Sequence, residues 1–323
     1  MLAVIGANGF IGKRLVLELL NRGYKVNAFC RDTSSLKHIN GNIVLTIIPH
    51  ISASLDWENY LTDDIEGIFY CASLIESNKR ENKLTLKKSF FDVNTFGMAS
   101  LAKVAAKKGV KKFIYLSSIK VNGENTDIGV CFDENTIEKP EGFYAESKFQ
   151  GEKELQKISK KYNLSYTILR PTIVFGPGAK GSFKTLFKIL SFGIPLPFKD
   201  INNVRSMIGI SNLIDILVLC IEDERATNKK FVVSDGSDFS TSDLIINIAK
   251  NAHLKPKLFR LPERYIMFFL KFLNKEEYCK KLFESLRVDN SLLVKSLDWK
   301  PSIKTQSEIK QMVLYFANDD KDD

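Results

Sequence analysis

Histidine is scarce in this chain: His38, His50 and His253 are the only three, and they lie far apart. The five cysteines, Cys30, Cys71, Cys131, Cys220 and Cys279, are scattered, with no CxxC pair and no metal-ligand spacing. These absences argue against a histidine-based triad and against a metal site, and they fit reduced core thiols in a cytoplasmic protein. No apolar run approaches the ~20 residues that a membrane span needs. The stretch RYIMFFLKFL (264–273) comes nearest and is expected to be a packed helix. No basic segment precedes the first apolar run at Leu2, so no secretory signal is expected. No basic arm for nucleic acid stands out either. The formal charge of +9 comes mostly from dispersed lysines, which suits solubility and, secondarily, attraction of a small anionic substrate.

What is present is an α/β rhythm. With 323 residues, 44% of them hydrophobic, the chain is long enough for one large domain or a main domain with a smaller partner. Apolar runs occur at 2–5, 25–30, 42–47, 67–72, 111–117 and 165–170, and helical patterns lie between them at 10–22, around 83–108 and at 143–161. Runs without polar alternation suit strands covered on both faces, hence a parallel sheet. The expected fold is therefore α/β, a Rossmann-type doubly wound parallel sheet over residues 1–175. After that, Gly- and Pro-rich loops and short helices predict a smaller, mostly helical C-terminal region, 176–317, interleaved with the sheet and forming the substrate side. The acidic end, 318–323, is expected to be frayed.

The first strand runs into GANGFIG, with glycines at 6, 9 and 12, and then into an amphipathic helix. Gly6 permits the tight turn, Gly9 allows backbone to approach a pyrophosphate, and Gly12 lets the helix pack closely on the sheet. The first-turn amides at Phe10, Ile11 and Gly12 would face the phosphates. The spacing is GxxGxxG, one residue longer than the common GxGxxG fingerprint. The second strand ends in AFCRDT. Arg31 could grip a 2′-phosphate and so favours NADP over NAD, while Asp32 could instead take the ribose.

YAESK (144–148) carries a second signal. A tyrosine and a lysine four apart share one helix face, as many surface pairs do. Here the pair follows a dinucleotide turn and a strand that ends in Ser117 and Ser118. Ligands of open α/β sheets bind at such strand ends.

In these motifs the chain resembles the extended short-chain dehydrogenase/reductases, the NAD-dependent epimerase/dehydratase family. FYCAS, DVNTFG, LSSIKVNGE, LRPTIVFGPG, NNVRSMIGISNLID and SLDWKP extend the likeness over nearly the whole chain. More narrowly it resembles bacterial UDP-sugar 4-ketoreductases, of the kind forming UDP-N-acetylquinovosamine, and UDP-hexose 4-epimerases. The resemblance implies that Tyr144 is the general acid/base, that Lys148 sits by the nicotinamide ribose and lowers the tyrosine pKa, and that Ser118 hydrogen-bonds the reacting oxygen. It also places Ala72 and Asn94 on the cofactor, Arg205 on the substrate diphosphate, and Phe183 and Phe198 near the nucleoside. For both phenylalanines core packing is the plainer alternative. A homodimer through the helix bearing YxxxK is expected by the same analogy. Ile173, where many UDP-galactose epimerases carry asparagine, and Asn122, where many carry tyrosine, depart from the simple epimerase pattern. Together with Arg31 they favour reduction of a UDP-4-keto sugar for surface-polysaccharide synthesis. A 4-epimerase with tightly held NAD and a non-catalytic NADP-binding scaffold are the alternatives.

Overall fold

The computed structural model describes residues 1–75, 82–272 and 282–319. Six of its strands match the six apolar runs: β1 (Leu2–Ile5), β2 (Val26–Cys30), β3 (Ile43–Ile47), β4 (Gly67–Tyr70), β5 (Lys112–Leu116) and β6 (Tyr166–Pro171). A later strand, β9 (Lys229–Val233), pairs with β6 and completes a seven-stranded sheet in the order β3-β2-β1-β4-β5-β6-β9, parallel throughout. Every residue of β1, β2, β4 and β5 is buried, as the unbroken apolar runs require of strands covered on both faces. The edge strand β3 is only partly covered.

Two apolar layers do the covering. On one face, α1 (Phe10–Asn21) and α6 (Ile210–Glu222) pack Leu15, Leu19, Leu213 and Leu217 against the sheet, joined by α9 (Ser291–Leu297). On the other, α3 (Met98–Lys107) and α4 (Gly142–Tyr162) bring Met98, Leu101, Leu155 and Ile158 together around Trp57. A short helix, α2 (Lys83–Phe91), enters α3 through a π-helical turn, Asp92–Gly97. The chain builds β1–β3 outward on one side and then crosses to β4 on the other. The strand order therefore reverses between β1 and β4, and a crevice opens there at the carboxyl ends.

The smaller lobe has its own core. Helices α5 (Ser182–Ser191), α7 (Thr241–Asn251) and α10 (Thr305–Asp319) enclose Phe175, Phe187, Ile248, Met312 and Phe316. A second sheet, β10 (Asp238–Phe239), β8 (Arg205–Gly209) and β7 (Ile173–Phe175), joins the lobe to the main body. The interleaving is marked, since α6 and β9 both return to the large sheet. The first two residues of the stretch expected to be frayed are helical. Asn318 and Asp319 finish α10, whose buried stripe of Ile309, Met312, Val313 and Phe316 carries the helix on, and Asp319 pairs with Lys184 at 2.7 Å. The rest of that tail lies outside the described residues. Residues 264–272 of the apolar stretch fall on α8 (Glu263–Phe272), with Ile266 buried, and Leu273 lies outside the described residues. Among the described residues no helix is long and apolar enough to cross a membrane.

Candidate active site

The glycine turn does what its spacing asks. Gly6 has φ +83°, and a Cβ there would lie 2.8 Å from the backbone of Ala72, so the ends of β1 and β4 touch. A Cβ on Gly12 would lie 2.1 Å from the Gly6 carbonyl oxygen, which is what close helix packing means at this point. Gly9 stands at the N-cap of α1 without a side-chain cap, and no acidic residue occupies the first turn. The amides of that turn thus keep their positive end for an anion. The side chains of Phe10 and Ile11 pack on the core, so their contribution to a ligand is through backbone. These residues fit a dinucleotide pyrophosphate.

At the end of β2, Arg31 is exposed. The carboxylate of Asp32 is engaged by Ser34, accepting from its amide at 2.9 Å and its hydroxyl at 2.6 Å. The Asp32 carbonyl also accepts from the Asn8 side chain. Both residues directly follow the carboxyl end of β2.

Tyr144, Lys148 and Ser118 come together. The hydroxyls of Ser118 and Ser73 lie within hydrogen-bonding reach of Tyr144. The ring of Tyr144 leans edge-on against Phe90, 6.5 Å between centroids. One turn along α4, Lys148 is buried, donates to the carbonyl of Leu116 at 2.8 Å and lies 4.9 Å over the ring of Tyr115. Ser118 also begins the short turn at 119–121, accepting from the Lys120 amide.

Burial dominates the electrostatics of the pair. In this structure burial raises the Tyr144 pKa, the hydroxyls of Ser118 and Ser73 pull it back, and Glu124 adds to the rise. Burial brings Lys148 itself down to about 7, with Cys71 and Glu152 opposing. The physical reason is desolvation: a lysine enclosed between β4, β5 and α4 loses much of its own charge near neutrality.

Asn94 enters the site as a brace. Its side-chain oxygen accepts from Leu74 N and Ser73 Oγ, and its nitrogen donates to Leu74 O and Ser147 Oγ, all at 3.0–3.1 Å. The amide is thereby committed to protein partners, and it reaches Tyr144 through Ser73. Arg205 begins β8, donates to the Glu284 carbonyl at 2.9 Å and faces Glu124 from the lobe side, where burial lowers its pKa. Phe183 belongs to the lobe core, 6% exposed and packed on Phe175, so the structure gives it the packing role rather than a place on the substrate. Phe198 is half-buried beside Phe283. Two grooves, of about 690 and 620 Å³, share the segment 199–203 and flank β8; Ser118, Tyr144 and Lys148 line neither.

Three residues carry more of the site than their motifs suggested. Ser73 links Asn94 to Tyr144, and Glu124 is a charge facing both Tyr144 and Arg205. Glu152, one turn beyond Lys148, accepts from Ser117 at 2.5 Å and from the buried Arg170. The position of Glu152 at i+4 from Lys148 was the available signal, since both must share the buried face of α4.

The sequence and the fold have counterparts among known proteins. The sequence profile of the NAD dependent epimerase/dehydratase family matches residues 2–234. The chain belongs to this family. It is 36% identical to the UDP-glucose 4-epimerase of Vibrio cholerae over 96% of this chain and 94% of that one. It is 25% identical to an Escherichia coli O157:H7 N-acetyl-α-D-glucosaminyl-diphospho-ditrans,octacis-undecaprenol 4-epimerase, over 80% and 74%. In fold it is similar to a UDP-glucuronic acid 4-epimerase of Bacillus cereus solved with UDP-glucuronic acid and NAD, with TM-score 0.79, 19% identity and coverage of 98% and 99%. A Thermotoga maritima UDP-glucose 4-epimerase gives a TM-score of 0.76 at 20% identity, covering 98% of this chain and 99% of that one. As a member of the epimerase/dehydratase family the chain is an enzyme, and its cofactor is a nicotinamide dinucleotide, NAD or NADP.

Proposed function

We propose that this enzyme acts at C4 of a UDP-hexose or UDP-N-acetylhexosamine, and that the reaction is 4-epimerisation. The observation that carries the reading is Tyr144, which shares hydrogen-bonding reach with Ser118 and stands one helical turn from Lys148. Likeness to the Vibrio enzyme along nearly the full chain supports epimerisation over the reduction favoured by Arg31.

Gly6, Gly9 and Gly12, with the uncapped start of α1, would hold the pyrophosphate of the cofactor, and Ala72 would close against it. When bound, the nicotinamide supplies the acceptor and donor of the hydride. The chain supplies the proton path. Tyr144 removes the proton from the C4 hydroxyl and returns one to the same oxygen. Ser118 hydrogen-bonds that oxygen and holds it against the tyrosine. Lys148, in its charged form, favours the phenolate and is held in place by Leu116. Arg205 presents a planar cation to the diphosphate, suited to two parallel hydrogen bonds.

Reduction of a UDP-4-keto sugar is the second reading, favoured by the exposed Arg31 and the committed carboxylate of Asp32. Bound nucleotide separates the two. An epimerase keeps stoichiometric NAD through dialysis and interconverts UDP-glucose with UDP-galactose, or the N-acetyl pair, without added cofactor. Oxidation of added NADPH or NADH that depends on a UDP-4-keto sugar, with no nucleotide retained, would overturn epimerisation in favour of reduction.

A further inference from the structure

We infer that Arg170 is a positioning residue, a clasp that sets Tyr144 and Lys148 against Ser118 by holding the three chain segments that carry them. The inference rests on the active-site assignment above.

Arg170 lies within β6 with its side chain 0% exposed. A cation in that position costs several kcal/mol unless its donors are satisfied. Four hydrogen bonds satisfy it. Nε donates to Glu152 Oε1 at 2.9 Å, Nη2 donates to Glu152 Oε2 at 2.6 Å and to Glu138 Oε1 at 2.8 Å, and Nη1 donates to Asn122 Oδ1 at 2.9 Å. Each acceptor belongs to a different part of the site. Glu152 follows Lys148 by one turn of α4. Asn122 lies just after Ser118, at the start of the long connection 119–141. Glu138 lies near its end, just before Tyr144.

That connection contains no strand, only a short turn at 119–121, so its course needs an external fix. Asn122 supplies part of one: its amide nitrogen donates to the carbonyls of Asp133 at 3.2 Å and Thr136 at 3.4 Å. Isolated bridges from Thr126 to Ser285 and from Phe132 to Val288 hold its middle, and Arg170 ties its two ends together, because one rigid plane spans both ends of the excursion and the helix beyond it. The strand end is tied to the same group. Ser117 donates to Glu152 Oε1, so the residue before Ser118 is anchored to the arginine's partner, while the carbonyl before that, Leu116, holds Lys148. Lys230 donates to Glu138 at 2.9 Å, so two carboxylates face two cations and the network is balanced in charge.

Arg170→Lys keeps the charge and loses the fork. Glu138→Ala removes one arm at a position whose side chain is 25% exposed, where folding is least at risk. The assay follows UDP-glucose and UDP-N-acetylglucosamine turnover, dinucleotide affinity by fluorescence, and a thermal melt. Both folded variants are expected to lose roughly 10- to 100-fold in kcat, as small misplacements of catalytic groups do. KM and dinucleotide affinity should change little. The rising limb of the pH–kcat profile should move to higher pH as Tyr144 loses the support of Ser118, with Glu124, the charge facing it, and Lys148, one turn along α4, left intact. Glu138→Gln keeps the acceptor oxygen and should recover most of kcat. If Arg170→Lys fails to fold, the Glu138 pair decides alone. Folded variants with wild-type kcat and pH profile overturn the clasp, provided Tyr144→Phe is inactive. An active Tyr144→Phe instead overturns the site assignment on which the clasp rests.

Discussion

Lys148 Nζ is tied to the carbonyl of Leu116 at 2.8 Å, two residues before Ser118. This bond fixes the lysine at the end of β5 and buries it, and burial brings its pKa from 10.5 to about 7. Between those values the unfolded chain binds the proton and the folded chain does not. Stability therefore rises with pH from about 7 towards 10.5, and the burial cost is full below about 7. Lys148→Met should remove that cost. The variant should gain most over wild type in urea melts at or below pH 7, and the gain should shrink by pH 9.5, while turnover falls roughly 100-fold or more. An unchanged difference between the two pH values would refute the lysine's desolvation.

Tyr144→Phe removes one oxygen and keeps the ring on Phe90. Turnover should fall by roughly 100- to 10,000-fold, the range of a lost acid/base group. Dinucleotide affinity should stay within about threefold, because the pyrophosphate site at α1 is untouched. Equal losses in affinity and turnover would place Tyr144 in binding rather than in proton transfer.

Two glycines of the first turn, the exposed Gly9 and the buried Gly12, should differ in tolerance. A Cβ on Gly12 meets the Gly6 carbonyl oxygen at 2.1 Å, whereas on Gly9 the nearest atom, the same oxygen, is 3.2 Å away. Gly12→Ala must shift backbone on both sides and should cost roughly 1–3 kcal/mol in a denaturant melt. It should also weaken dinucleotide binding. Gly9→Ala needs a displacement of only a few tenths of an ångström, so its stability should remain closer to wild type. Its effect should show mainly in cofactor affinity, since Gly9 caps the helix end that faces the phosphates.

Arg31 tests the nucleotide. If it grips a 2′-phosphate, Arg31→Ala should lower NADPH affinity by roughly tenfold or more, a charge-assisted bidentate contact being worth about 1.5–3 kcal/mol, and leave NADH affinity unchanged. Isothermal titration with both nucleotides measures this. Equal changes for the two would assign the ribose to Asp32 or to backbone.

Much of this was legible in local pattern. The six apolar runs became strands within a residue or two because unbroken hydrophobicity and burial on both faces are one requirement. The glycines were legible because close approach leaves no room for Cβ. The Tyr144/Lys148 pair needed company, and Ser118 supplied it. What pattern could not supply was contact at long range. Arg170 looks like any strand arginine until Glu138, 32 positions earlier, and Glu152, 18 earlier, fold onto it. Phe183 sits where a nucleoside was expected, yet α5 turns it into the core against Phe175. Direction of charge was also hidden, since the fall of Lys148 to about 7 depends on how completely β5 and α4 enclose it.

Glu308 lies away from the site, and its oxygens are buried without a hydrogen bond of good geometry. It projects from α10 towards the start of α6, between Gly176 and Gly209, which leave room for it; a Cβ on Gly176 would come within 2.8 Å of its Oε1. Burial raises its pKa above 4.5, while Ser211 and Arg14 oppose the rise and Asp235 adds to it. A carboxyl with a raised native pKa stabilises the fold most when protonated in both states. Stability is lost as pH climbs from about 4.5 through the native value, and the penalty then stays constant. Glu308→Gln keeps the shape and cannot ionise. Its melting temperature relative to wild type should rise between pH 4 and pH 8, starting above about 4.5 and levelling off once the native carboxyl has ionised. A fall in that relative value as pH climbs from 4 would mean that the carboxyl is already ionised in the native protein at pH 4. The start of α6, whose free amides favour a negative charge, would then be holding it.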